Sequence, residues 1–268
     1  MKLKILDTQF AHAQSAGSKY TGLNLPVEWV RDFNEILEDE FLIVTESYYF
    51  QSLSIQHSKK ILWLLESPAF IDGSIVEDLK TNHQQFLYIL SAHPDVKYPN
   101  VKDFPVGGCW IFEHDQHIFH KKKLISTIAS AKISTLGQWF RHESIRIINK
   151  IDAYGPFYAP LEHKIDALKD YQYHLCIENV KSPLYFSEKL IDCFVTGTIP
   201  IYWGCENLSS YGFDLNGILL VNNIEDIKNT IDSLESIQID QKAIENNYYK
   251  AFEYRYPEDR IFNLINTI

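Results

Sequence analysis

The sequence predicts an α/β protein built on parallel sheets and divided into two units. Three observations carry this expectation. Short apolar runs alternate with amphipathic stretches from end to end, the pattern left by strands that helices cover on both faces. A stretch rich in proline and glycine, residues 93–108, interrupts the alternation and looks like the approach to an interdomain crossing. The 268 residues, 46% of them apolar, suffice for two units of roughly 100–150 residues, each with its own core. The expected division is 1–115 and 116–268, with the last helix free to pack back on the first unit.

Residues 4–8 read as the first strand. Pro26 then opens a helical pattern to residue 39, with Val27, Val30, Phe33, Ile36 and Leu37 on one face. Strands follow at 41–45 and 60–65, a helix at 74–82 and a strand at 86–91. Past the crossing come strand 124–129, helix 136–150, strand 151–153, helix 161–170 and strand 173–177. A helix at 187–196 precedes strands 199–202 and 217–221, and the remainder reads as helices. Residues 121–123, three consecutive lysines, read as a solvated face.

The formal charge of −10 argues against nucleic acid as a partner, since duplex binding rests on clustered Lys and Arg. It leaves room for a local basic cleft. Cys109, Cys176, Cys193 and Cys205 form no C-x-x-C pair and no zinc spacing, so they are expected as reduced, structural thiols. His114, His117 and His120 are three apart, yet the irregular run around them speaks against a metal site. The N-terminal apolar run is too short for a signal segment, and no stretch reaches the ~18–20 apolar residues of a membrane span. The expectation is a cytoplasmic protein with no transmembrane segment, open to peripheral membrane contact.

No P-loop, G-x-G-x-x-G or D-x-D motif is present. Any bound phosphate must therefore be held by protein cations and helix N-termini. The segment from Tyr173 to Gly204, YHLCIENVKSPLYFSEKLIDCFVTGTIPIYWG, offers such a place. A strand ends at Glu178 and Asn179, and a turn leads to a helix opened by the N-cap residue Ser187. Lys189, in the first turn, opposes the helix dipole unless an anion lies between them. Local chemistry is equally compatible with an ordinary surface pair at Glu188 and Lys189.

The ordered motif resembles the donor-binding signature of the family 10 glycosyltransferases, the α-1,3/4-fucosyltransferases. Its residues here are Glu178, Asn179, Tyr185, the run Ser187, Glu188, Lys189 and Leu190, and then GTIPIYWG from Gly197 to Gly204. Upstream, GQWFR from Gly137 to Arg141 is similar to a family helix, with Gln138 where some relatives carry His. IDAYG, ending at Gly155, and LLESP, around Glu66, extend the resemblance over roughly residues 60–225.

The resemblance implies a GT-B type fold: two Rossmann-like α/β domains facing across a cleft, acceptor on the N-terminal side and nucleotide-sugar donor on the C-terminal side. It implies an inverting, metal-independent enzyme that needs no cofactor, uses GDP-fucose as donor substrate and takes an oligosaccharide or glycoconjugate acceptor. Glu66 is the expected catalytic base. Arg141 and Lys189 are the expected diphosphate cations. Glu188 is expected at the donor's hydroxyls, Tyr185 at the nucleotide, and Glu178 and Asn179 at the rim of the pocket. Two alternatives stay open: the same fold using another GDP-sugar, or a catalytically silent glycan- or nucleotide-binding relative. Trp110, Trp139, Tyr154, Phe157 and Tyr158 are mostly expected in the core.

Overall fold

The computed structural model of the chain describes residues 1–8, 10–11, 13–32 and 36–268. They divide into two units, Met1–Gly108 with Tyr256–Ile268, and Cys109–Arg255. Packing accounts for a boundary at 108/109 and not at 115/116, and for the last helix joining the first unit, as the sequence left open. Cys109 and Ile111 are buried with Phe186 and Leu190 of the second unit. Ile261 and Ile265 of the C-terminal helix Pro257–Ile265 are buried with Leu3, Ile5 and Trp63 of the first. Glu258 of that helix is fully buried and accepts from Ser15 Oγ, the Ala16 N–H and Trp29 Nε1.

The first unit carries β1 (Lys2–Leu6), β2 (Glu28–Val30), β3 (Leu42–Thr45), α1 (Tyr49–Ser52), β4 (Lys60–Trp63), α2 (Gly73–Asn82), β5 (Tyr88–Ser91) and β6 (Val101–Asp103). Its sheet runs β2-β1-β3-β4-β5-β6, every pair parallel. β4 shows why: Ile61 and Trp63 enter one buried cluster while Leu62 enters another, so both faces are covered.

The helix expected from Pro26 is not found among the described residues; Glu28–Val30 is the edge strand β2. The apolar spacing suits either structure, and tertiary contacts decide it. Trp29 stacks on Trp63 with ring centroids 6.2 Å apart, and the Glu28 N–H bonds the Met1 carbonyl at 2.8 Å. Phe33, part of the expected helical face, lies outside the described residues. β6, inside the stretch read as loop, adds a further parallel edge to β5.

The second unit carries β7 (Lys123–Ile128), α3 (Leu136–Ile147), β8 (Asp152–Tyr154), β9 (Tyr171–Ser182), α4 (Glu188–Val195), β10 (Ile199–Cys205), β11 (Leu219–Leu220), α5 (Ile224–Ser233) and α6 (Gln241–Ala251). Its sheet runs β11-β10-β9-β7-β8, again parallel throughout. Tyr173, Leu175 and Ile177 enter one core cluster and Cys176 the other. All four cysteines are buried and free.

Two corrections in this unit share one cause. The helix expected over 161–170 is a single 3-10 turn, Lys164–Ala167. Carbonyls that a longer helix would use internally are taken by side chains instead. Ser126 Oγ donates to Ala167 O, Thr198 Oγ1 to Leu168 O, and Lys121 Nζ to Leu168 O and Lys169 O. Lys121 is thus a half-buried donor to this turn and not part of a solvated face; it also donates to Thr196 O and Thr198 Oγ1, both at 2.8 Å. Burial pushes its pKa down to about 7. No helix of the described residues is long and apolar enough to cross a membrane.

Candidate functional site

The second unit holds a pocket of about 300 Å³ at the carboxyl ends of its central strands, where ligands collect in open parallel sheets. β9 runs further than expected, to Ser182, because its pairing with β10 shifts register between Trp203 and Cys205. Glu178 and Asn179 fall in that irregular stretch. Asn179 lines the pocket. Glu178 is fully buried behind it, accepting from the Ser187 N–H at 2.8 Å and Ser187 Oγ at 2.7 Å.

Two motif glycines make room for this. A Cβ on Gly137 would meet the Glu178 carbonyl oxygen at 1.8 Å, and one on Gly204 would meet Glu178 Cγ at 2.5 Å. The start of α3 therefore presses directly on the end of β9. Gly137→Ala is expected to cost about 3 kcal/mol, the upper part of the range for overpacking. Urea unfolding measures it; an unchanged midpoint would show that the two backbones separate without strain.

α3 is opened by a capping box. Thr135 accepts from the Gln138 N–H, and Gln138 Oε1 accepts from the N–H groups of Ser134 and Thr135. Gln138 thus fixes the helix entry, and Arg141, one turn on, points into the pocket. Arg141 is 6% exposed, Nη2 donates to the Ile177 carbonyl at 2.9 Å, and Nε has no partner among the described residues. Burial lowers its pKa, opposed by the charges of Glu178 and Glu188. Arg146 lies out on the surface with Glu143.

α4 begins at Glu188 with Ser187 as N-cap. Lys189 Nζ donates to Ser187 Oγ at 2.9 Å and reaches Glu178 at 3.4 Å and Glu188 at 3.6 Å. Burial would raise the Glu188 pKa, but Lys189 and Lys164 outweigh it and hold it down at about 2. Lys164 was not singled out in the sequence, because the amphipathic pattern around it suggested a helix surface. It reaches Glu188 at 3.2 Å and Asp192 at 2.8 Å, with Nζ 4.4 Å from the Trp110 ring centroid. Burial works against its charge, and the two carboxylates more than reverse that, raising its pKa. Asp192, also unforeseen, carries a readable signal: it stands four residues after Glu188 on one helix face. It also accepts from the Trp110 N–H at 2.7 Å.

The pocket therefore gathers Arg141, Asn179, Glu188 and Lys189 of the expected site residues, and adds Lys132, Lys164, Asp192, Trp110 and His174. Its lining has four fixed cations against two carboxylates, a local excess of positive charge on an acidic protein. Tyr185 is buried in the approach to α4 and is not part of the lining. Of the aromatics expected in the core, Trp139 and Phe157 are exposed, 50% and 68%.

Glu66 belongs to the first unit, just past β4, and is exposed. Its carboxylate has no hydrogen-bond partner among the described residues, while its N–H and that of Leu65 both donate to Glu46, each at 2.9 Å. Burial raises the Glu46 pKa, against the pull of those bonds. The strand end is thus held by Glu46, and the Glu66 side chain is left free.

A family model described as glycosyltransferase family 10 (fucosyltransferase), C-terminal part, matches residues 108–261. The chain is 27% identical over 172 residues to a fucosyltransferase-like protein of Arabidopsis thaliana, covering 61% of this chain and 33% of that one. It is 35% identical over 78 residues to an alpha-(1,3)-fucosyltransferase of Helicobacter pylori, covering 29% and 16%. The matches thus span a third or less of these relatives' length. Among solved structures, an alpha1,3-fucosyltransferase with GDP superposes with a TM-score of 0.58 over 99% of this chain and 89% of that one, at 15% identity. The same kind of enzyme with GDP-fucose gives 0.56 over 92% and 81%, also at 15%. The fold is of the GT-B type, two α/β units each on a parallel sheet.

Proposed function

Because the chain belongs to glycosyltransferase family 10, we propose that it is a fucosyltransferase, carrying L-fucose from GDP-fucose to a hydroxyl of a glycan acceptor with inversion at the anomeric carbon. One observation supports the donor reading above all. Arg141 is a buried guanidinium with unfilled donors, set in a cationic pocket beside Lys189. Burying such a charge with donors unfilled is costly, and a diphosphate supplies the acceptors and the opposite charge. Arg suits the bidentate contact and Lys adds a point charge. Glu188, kept ionised by its two lysines, accepts from sugar or ribose hydroxyls in this reading.

In the proposed reaction the acceptor oxygen attacks the anomeric carbon on the face opposite the diphosphate. The bond from that carbon to the β-phosphate oxygen breaks, and its electron pair leaves with GDP. Arg141 and Lys189 stabilise the charge that develops there. The hydroxyl proton goes to Glu66 as general base.

Calorimetry with GDP and UDP in the presence of a chelator tests the donor reading: GDP is expected to bind at least tenfold tighter, without divalent metal. Incubation with GDP-fucose or GDP-mannose and an oligosaccharide panel tests the transfer. Turnover of GDP-mannose alone would give the site to another GDP-sugar, and GDP binding without any turnover would make the chain a nucleotide-binding relative. Absence of GDP binding would overturn the reading altogether.

A further inference from the structure

The pocket contains a group that the proposed mechanism does not use. His174 stands on β9, lines the pocket and is 6% exposed. Its Nδ1 lies 2.8 Å from Ser126 Oγ, and Ser126 Oγ lies 2.5 Å from the Ala167 carbonyl oxygen. Two oxygens that close need a proton between them, and a carbonyl has none to give. The Ser126 hydroxyl proton is therefore committed to Ala167. Ser126 Oγ can only accept from the ring, so Nδ1 carries the hydrogen.

Burial, then the charges of Lys164 and Arg141, outweigh a bond to the Ala167 backbone and push the ring's pKa down to about 3, which favours the neutral form. With hydrogen on Nδ1, Nε2 bears a lone pair and is an acceptor. Ser126 bonds the ring through Nδ1, and Nε2 bonds no side chain of the described residues. A neutral acceptor repels phosphate oxygens, so it does not belong to the diphosphate end of the site. Leu168 and Ile128, which also line the pocket, suit the flat face of a base.

We propose that His174 Nε2 accepts a hydrogen bond from the nucleoside of the bound diphosphate, from an N–H of guanine or a hydroxyl of ribose, and so helps to select the nucleotide. The inference rests on the pocket being a nucleoside diphosphate site. Four analogues separate the two donors: inosine diphosphate lacks the 2-amino group, 1-methyl-GDP the N1–H, and 2′-deoxy- and 3′-deoxy-GDP one hydroxyl each. By calorimetry, at least one is expected to bind the wild type about five- to tenfold more weakly than GDP. His174→Phe is expected to erase that difference and His174→Gln, which keeps an acceptor, to retain it. The analogue affected identifies the donor.

Nitrogen NMR on the wild type gives a readout independent of any variant's folding. The ring is expected to show the Nδ1–H tautomer, with the Nε2 resonance moving upfield as GDP saturates the site. An unmoved Nε2 resonance, a wild type indifferent to all four analogues, or a discrimination that survives in His174→Phe would overturn the assignment while leaving GDP binding intact. Failure of GDP to bind the wild type would remove the nucleotide reading and this inference together.

Discussion

Glu66→Gln is expected to lower the turnover of glycosyl transfer by about 10²–10⁴, the scale of a positioned general base, with the Kd for GDP unchanged. The geometry of the first unit makes this a clean substitution. The Glu66 carboxylate is exposed and bonds no described residue, so the substitution breaks no hydrogen bond or ion pair to the described residues. Both backbone N–H groups at the strand end are held by Glu46, and the flanking Leu65 and Ser67 are buried. Glutamine keeps the size and polarity of the side chain and cannot take a proton. Release of GDP from GDP-fucose in the presence of acceptor measures the effect, and urea unfolding checks the fold. Turnover within a few fold of wild type would remove Glu66 from the mechanism and shift attention to another carboxylate of the same unit.

Much of the fold was legible because it follows from periodicity. Runs such as ILWLL are apolar on both faces, and a run that short, with Lys60 before it and Glu66 after it, fits a strand covered on both sides. The failures lie where side chains from distant positions take over the backbone. Residues 161–170 have helical spacing, but Lys121, Ser126 and Thr198 capture the carbonyls of Ala167, Leu168 and Lys169, and nothing local announces this. The same holds for β2, where Trp29 stacking on Trp63 outweighs a helical pattern.

The candidate site divides in the same way. Arg141, Asn179, Glu188 and Lys189 fall in an ordered motif and were found; the structure gathers them in one pocket. Lys164 and His174 were missed, since their places depend on a turn that is not a helix and on a hydroxyl one strand away. The two motif glycines gain a physical meaning only from the structure, which places the Glu178 backbone against one and its side chain against the other.

Lys189→Ala carries the second large effect: GDP affinity is expected to fall about 10- to 100-fold, the equivalent of a charge-assisted bond of ~1.5–3 kcal/mol. The pairing of Lys189 shapes how the result is read. It is held by Ser187, Glu178 and Glu188, so its truncation also takes a counter-charge from buried Glu178. Glu178 keeps both of its bonds from Ser187, which limits the damage to the fold. Comparing ligands separates the two effects. Guanosine has no phosphate and is expected to bind wild type and variant alike, while GDP loses its advantage over guanosine in the variant. A general loosening of the helix would instead weaken both ligands equally. If Lys189→Ala bound GDP as tightly as wild type, Lys189 would be a structural partner of Glu178 alone, and the diphosphate would rest on Arg141 and Lys164.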